Sequence, residues 1–329
     1  MSVGQKVAER SPVVLVTGAL GGLGSMIAAL LDASDARVVA VDNHNPASAH
    51  YPEHQHRLQL LSTREGVELH LIDVRSREFA DLINGLEKLD CVVHAASISP
   101  IRRPEPDSET IRELANTIPL ELAGMIGKYD GCRLLLLQHL PATGEGDTRS
   151  EDEVWKILLD AEADTRNELR ENSKVEIVSL PNLVGMGQSL YSSPMNALFQ
   201  MISGLPVVLP EQDIPLLAMD PSVVSEAIVE AVFEGEKPFL QQPFATPTVR
   251  EFAEALGRQL ELDQVDFAEE KSAPPGLSAG QVVAVANADQ LAQHLLEYSR
   301  QLPFIPPADW PTSSRKRNKK SKHQQKQES

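Results

Sequence analysis

One segment constrains the fold of this chain more than any other. The apolar run Val13-Val14-Leu15-Val16 leads directly into Thr17-Gly18-Ala19-Leu20-Gly21-Gly22-Leu23-Gly24, and an apolar stretch from Ser25 to Leu31 follows. Glycines at every third position between a buried strand and a helix predict a tight turn. Its backbone can approach a ligand closely, and its helix can lie on the strand with no Cβ in between. Free N–H groups and the positive dipole end of that helix suit a pyrophosphate. Gly18, Gly21, Gly22, Leu23 and Gly24 are therefore candidate cofactor contacts. Asp42 sharpens the reading, because it sits at the tip of the next apolar run (37–42), eighteen residues past Gly24. A carboxylate there accepts hydrogen bonds from the adenosine ribose hydroxyls and repels a 2′-phosphate, which favours NAD over NADP. The alternative is a glycine-rich structural turn with Asp42 as a helix or loop cap.

The rest of the first half repeats the same alternation. Short apolar runs at 67–74, 91–97, 132–139 and 175–181 read as strands. Amphipathic stretches at 75–86, 107–127 and 151–171 read as helices, and the His- and Pro-rich stretch 43–57 as a loop. Continuous apolar strands separated by longer amphipathic segments predict a parallel sheet covered on both faces. With right-handed crossovers this is an α/β doubly wound (Rossmann) sheet. Past residue 182 the alternation loosens into helical patches (195–203, 221–233, 248–259, 287–300) among Pro-rich loops. We therefore expect a dinucleotide-binding lobe over 1–181, to which some later segments return, and a small C-terminal lobe of substrate type over 182–312. Residues 313–329 form a polar, basic tail that we expect to be disordered.

Charge and cysteine content narrow the function classes. The formal net charge of −17 hides a tail with seven Lys/Arg and one Glu, so the remaining body carries about −23. A body that acidic argues against wrapping nucleic acid, and the tail lacks aromatics for base stacking. The absence of an apolar leader or an 18-residue apolar run predicts a cytoplasmic protein without membrane spans. Cys91 and Cys132 each open an expected strand and read as buried free thiols. His44, His50, His54 and His56 crowd one segment, but their irregular spacing fits a polar loop better than a metal site, and no metal is expected.

The chain resembles the extended short-chain dehydrogenases, the NAD-dependent sugar-nucleotide epimerases and dehydratases. Thr17-Gly-x-x-Gly-x-x-Gly24 matches that family's opening motif, although Gly18, Gly22 and Gly24 also fit the spacing of the shorter branch. Asp73-Val74 matches the pair that the family places against the adenine. Val93-His94-Ala95-Ala96 is similar to the cofactor-lining His-x-Ala-Ala segment, and Asn116 falls at the family's helix asparagine. Segments 178–187 and 216–229 resemble later family elements. The resemblance implies NAD as cofactor, with Asp73, Val74, His94, Ala95 and Ala96 as contacts. It also implies a homodimer through helices 107–127 and 151–171, although their apolar content equally serves one face against the sheet.

The family's chemistry uses a Ser or Thr, a Tyr and a Lys four residues after the Tyr. Here His139 stands at the hydroxyl position. Matching Ala161-Glu162 to the end of the family's Tyr-x-x-x-Lys-x-x-Ala-Glu helix puts Val154 at the tyrosine and Leu158 at the lysine, and a slip by one gives Trp155 and Leu159. None of these four side chains transfers a proton. The sequence thus reads as an NAD-binding protein that is catalytically degenerate, with a cofactor-binding or sensing role. The first alternative is an active oxidoreductase or epimerase with His139 as a rebuilt acid/base. The second is a non-enzymatic interaction protein. Lys156 and Asp160 have the spacing of a surface ion pair.

Overall fold

The computed structural model describes residues 11–45, 51–97, 107–139, 153–180, 182–183, 193–202, 207, 218–236, 248–262 and 264–265, with isolated positions from 289 to 296. The basic tail, His50 and most of segment 287–300 lie outside the described residues.

The first half alternates strictly between strand and helix. It runs β1 (Val13–Thr17), α1 (Gly22–Ala33), β2 (Arg37–Val41), α2 (Tyr51–Ser62), β3 (Val67–His70), α3 (Arg77–Gly85) and β4 (Cys91–His94). Next come α4 (Ser108–Arg112), a π-helical turn (Glu113–Thr117), α5 (Ile118–Met125), β5 (Arg133–His139), α6 (Glu153–Leu169) and β6 (Val175–Leu180). The six strands form one parallel sheet in the order β3-β2-β1-β4-β5-β6, the doubly wound sheet expected from the pattern. Two faces are filled by alternate residues of the same strands, as the period of two requires. Val14, Val16, Val38, Ala40, Val93 and Leu135 pack with Ile27, Ala28 and Leu31 of α1. Leu15, Val39, Val92, Leu134 and Leu136 pack with Phe79 and Ile83 of α3 and Ile118 and Leu122 of α5.

Several boundaries differ from expectation for identifiable reasons. The segment read as a loop over 43–57 contains the start of α2, whose second residue is Pro52. Proline is tolerated in a first helical turn, where its missing N–H would have had no partner. Strand β3 stops at His70, four residues early, and beyond it the backbone N–H of Arg75 donates to the Asp73 carboxylate at 2.9 Å. The long helix expected over 107–127 is interrupted. Pro119 has no N–H for the Ala115 carbonyl four residues back. The Ile118 N–H reaches the Glu113 carbonyl across the π turn instead. The Thr165 hydroxyl of α6 lies 2.8 Å from the Ala115 carbonyl and 2.9 Å from that of Ala161, one proton shared between them.

Later elements are shorter: β7 (Asn182–Leu183), α7 (Ser193–Ile202), β8 (Ala218–Met219), α8 (Pro221–Glu234) and α9 (Val249–Gln259). Asp220 caps α8 by accepting from the Ser222 N–H, Pro221 follows the cap, and Gly235 ends the helix at φ 73°. Helix α8 belongs with the sheet, since Val224, Ile228 and Val229 fill the same core as α1. Arg133 at the start of β5 secures it by donating to the Ala231 carbonyl at 3.0 Å and to Glu176 of β6 at 3.2 Å. Cys91 and Cys132 are free and buried, and burial pushes their thiols up to about 12 and about 11. Among the described residues no helix is long and apolar enough to cross a membrane.

Candidate functional site

In this strand order the chain leaves β1 and β4 toward opposite faces, so a crevice opens at their C-terminal ends. The glycine turn lies at its centre. Gly18 has φ +69°, and a Cβ there would stand 2.7 Å from the Ala95 carbonyl oxygen and 2.6 Å from the Ala96 nitrogen. A Cβ on Gly24 would stand 2.1 Å from the Gly18 carbonyl oxygen. The turn is closed by the Gly21 N–H donating to the Gly18 carbonyl at 2.9 Å. Helix α1 begins after Gly21 with no side-chain cap and no acidic residue in its first turn. The first N–H groups, those of Gly22, Leu23 and Gly24, are thus left by side chains to an anion, which is the physical requirement of a pyrophosphate site.

Asp42 lies at the tip of β2 and is buried, and its Oδ2 accepts from the Leu20 N–H at 2.8 Å. It therefore braces the glycine turn, the role given above as the alternative. That contact does not preclude a ribose, because a carboxylate offers about four lone-pair positions. Leu20 is held on its other side too. Arg57 of α2 donates to the Leu20 carbonyl at 3.0 Å and to Glu53 at 3.3 Å, and both side chains are almost fully buried. Reading 43–57 as a loop concealed this pair; its sequence signal is the acid-to-base spacing of four residues, which is a helical spacing.

Asp73 is drawn toward β2 through Asn43, whose Nδ2 lies 3.4 Å from its Oδ2. Arg75 holds the same carboxylate with contacts of 3.0 and 2.8 Å, and this guanidinium lowers it to about 2. Val74 packs into the core beneath. Ala95 and Ala96 line the crevice beside Gly18. His94 does not line it with its ring. The imidazole is inside the fold, with Nδ1 2.7 Å from the Thr17 hydroxyl and the ring facing the Leu114 backbone. Burial pulls this histidine down to about 4, so it is neutral at ordinary pH. Asn116 donates to the Thr165 hydroxyl at 3.0 Å, joining the π turn to α6.

His139 ends β5, two strands from β1, and its surroundings are more elaborate than the sequence showed. Its Nδ1 is 2.8 Å from Glu162 Oε1, and its backbone N–H also donates to that carboxylate. Arg166 donates to the His139 carbonyl at 2.5 Å, and Trp155 meets the imidazole edge-on with 5.2 Å between ring centroids. Glu162 was matched from sequence only as a helix landmark, not as the partner of His139. Val154 and Leu158 are committed to packing: Leu158 is 1% exposed and lies with Ile111, Ala115 and Ala161 in a cluster that Val154 borders. Helices α4 and α6 pack on each other within the chain. Lys156 and Asp160 are both exposed. His44 meets Gln55 at 2.9 Å, and among the described residues no group of three or more His, Cys, Asp or Glu could hold a metal ion.

The sheet order and the glycine turn between β1 and α1 make this a doubly wound, Rossmann-like α/β fold. Residues 14–153 match the NAD dependent epimerase/dehydratase family, which bears out the resemblance read from the motifs. Among solved structures, the UDP-glucuronic acid 4-epimerase of Bacillus cereus, in complex with UDP-glucuronic acid and NAD, is similar with a TM-score of 0.71. It shares 14% identity, over 88% of this chain and 99% of that one. The dTDP-glucose 4,6-dehydratase of Bacillus anthracis, in complex with NAD, has a TM-score of 0.69 at 12% identity, over 88% and 97%. The UDP-glucose 4-epimerase of Bifidobacterium longum, in complex with NAD+ and UDP, has 0.64 at 16%, over 88% and 98%. At such identities the likeness is one of fold. The sequence matches no curated protein.

Proposed function

We propose that this chain binds NAD across the crevice at the ends of β1, β2 and β4 and is catalytically degenerate, serving as a cofactor-binding or sensing protein. The uncapped N-terminus of α1 takes the pyrophosphate, Asp42 takes the adenosine ribose, and Ala95 and Ala96 flank the path between. NAD is favoured over NADP because Asp42 would face a 2′-phosphate with like charge. The nicotinamide supplies a hydride acceptor when bound. The observation that carries the degenerate reading is Leu158, packed against Ile111 and Ala115 at the position matched to the family's lysine. With Val154 beside it, α6 offers no proton-transferring group at either matched position. General acid–base help of about 10²–10⁴-fold is then absent.

His139 carries the second reading. A buried carboxylate on Nδ1 orients the imidazole, leaving Nε2 to exchange a proton with a substrate. Kinetics separate the two. UDP-glucuronic acid, UDP-glucose and dTDP-glucose are incubated with protein and NAD, with products resolved by chromatography and NADH followed by absorbance. The degenerate reading expects neither product nor NADH. Turnover with a histidine-range pH limb, lost in His139→Ala, would replace it with the rebuilt site. Turnover that survives His139→Ala would refute both.

A further inference from the structure

The pair Glu53–Arg57 sits at the corner of the crevice where the adenosine ribose is placed, and nothing above gives it a function. Arg57 reaches from α2 to the Leu20 carbonyl, while Asp42 holds the N–H of the same residue. Its guanidinium therefore lies one residue's backbone away from the Asp42 carboxylate, on the glycine turn itself. Glu53, four residues earlier on the same helix, is 2% exposed and takes the other end of the guanidinium at 3.3 Å. A buried arginine at such a corner is the residue type that receives a ribose 2′-phosphate, through paired N–H donors and a permanent charge. Among the described residues, Asp42, Glu53 and Arg57 put two carboxylates and one guanidinium at this corner, a balance of −1 for the three. Each carboxylate also has a local partner that fixes its position.

We infer that Glu53 is a specificity-determining residue for the dinucleotide: it retains Arg57 on the Leu20 carbonyl, so that this arginine does not serve a 2′-phosphate. The inference rests on the NAD-binding reading above. Asp42 excludes the phosphate by direct repulsion, whereas Glu53 acts through Arg57. Removing the Glu53 charge while keeping its shape changes the corner from −1 to neutral. Arg57 keeps a neutral hydrogen-bond partner at position 53 but loses the charge that retains it on the Leu20 carbonyl, and so gains the freedom to turn outward. A ribose 2′-hydroxyl is neutral and responds little, but a 2′-phosphate carries about two negative charges and responds strongly.

The test measures NAD and NADP affinities by calorimetry on the full chain as wild type, Glu53→Gln, and Glu53→Gln with Arg57→Met. Glutamine keeps a hydrogen bond to Arg57 but not its countercharge, so the double variant, which removes both members of the buried pair, is the one expected to fold without that cost, and thermal melting of each variant precedes titration. The readout is the ratio of the two dissociation constants, which a general loosening of the turn would not move. In Glu53→Gln the ratio should shift toward NADP by about tenfold, the scale of one partly screened charge a few ångströms away. Adding Arg57→Met should cancel the shift. An unchanged ratio in Glu53→Gln, or a shift that persists without Arg57, overturns the inference while NAD binding stands. Wild type that binds neither dinucleotide overturns the underlying reading and the inference with it.

Discussion

Replacing Gly24 by alanine adds a single methyl group at the most crowded point of the turn. The new Cβ would lie 2.1 Å from the Gly18 carbonyl oxygen, 2.8 Å from its carbon and 3.3 Å from the Ala19 Cα. Reaching ordinary contact requires a displacement of about an ångström, and neither partner can retreat. Gly18 is pressed from behind by the Ala95 and Ala96 backbone, and its carbonyl already accepts from Gly21. Helix α1 is held by Ile27, Ala28 and Leu31 in the core. The cost should fall at the upper end of overpacking, about 3 kcal/mol. For a chain of 329 residues that lowers the melting temperature by roughly 4 °C. Because the displaced atoms carry the first N–H groups of α1, NAD affinity should fall by about tenfold or more. Thermal melting followed by calorimetry with NAD reads both effects. Gly124→Ala is the control: it is exposed on α5 with nothing within 4 Å of a Cβ, and should stabilise by about 0.5–1 kcal/mol. A Gly24→Ala protein that melts with the wild type and binds NAD equally well would refute the close-approach argument.

Other predictions concern the interior. His94 is lowered from 6.5 to about 4 by burial, so the unfolded chain binds the extra proton between those values. Stability should therefore fall by a few kcal/mol as pH drops from about 6.5 to about 4, and urea unfolding of His94→Phe should lack that component; parallel pH profiles would contradict it. Leu158→Ala should cost about 2–5 kcal/mol, as expected where a fully buried leucine joins α4 to α6, with NAD affinity unchanged. A shift in affinity larger than the loss of stability would show that Leu158 touches the cofactor site. Asp42→Asn keeps an acceptor for the Leu20 N–H and removes the charge, so calorimetry should show NADP binding gain on NAD. An unchanged preference would leave Asp42 as a brace alone.

Much of the fold was legible because buried parallel strands and a glycine turn leave strong local marks. Val13–Thr17, Arg37–Val41 and Arg133–His139 are continuous apolar runs or nearly so, and tertiary packing has no cause to override them. What was hidden depended on partners far along the chain. Pro119 announces an interruption of the helix, but not that Thr165 would meet the carbonyl it leaves. The Glu53–Arg57 pair sits among histidines and a proline, in a helix of low hydropathy that the sheet stabilises. For His94 the motif indicated a cofactor-lining strand end, whereas the ring's direction follows from strand alternation, which sends it to the Thr17 face. The His139–Glu162 contact joins residues 23 apart and could not be read from either position alone.

Calorimetric titration of the full-length protein with NAD tests the account most directly. Saturable binding of one NAD per chain, absent when the same titration is made with Gly18→Val, is the predicted result: the valine side chain would enter the space of Ala95 and Ala96. No heat of binding with a well-folded wild-type protein, or equal binding by Gly18→Val, would contradict the claim that the glycine turn is a dinucleotide site.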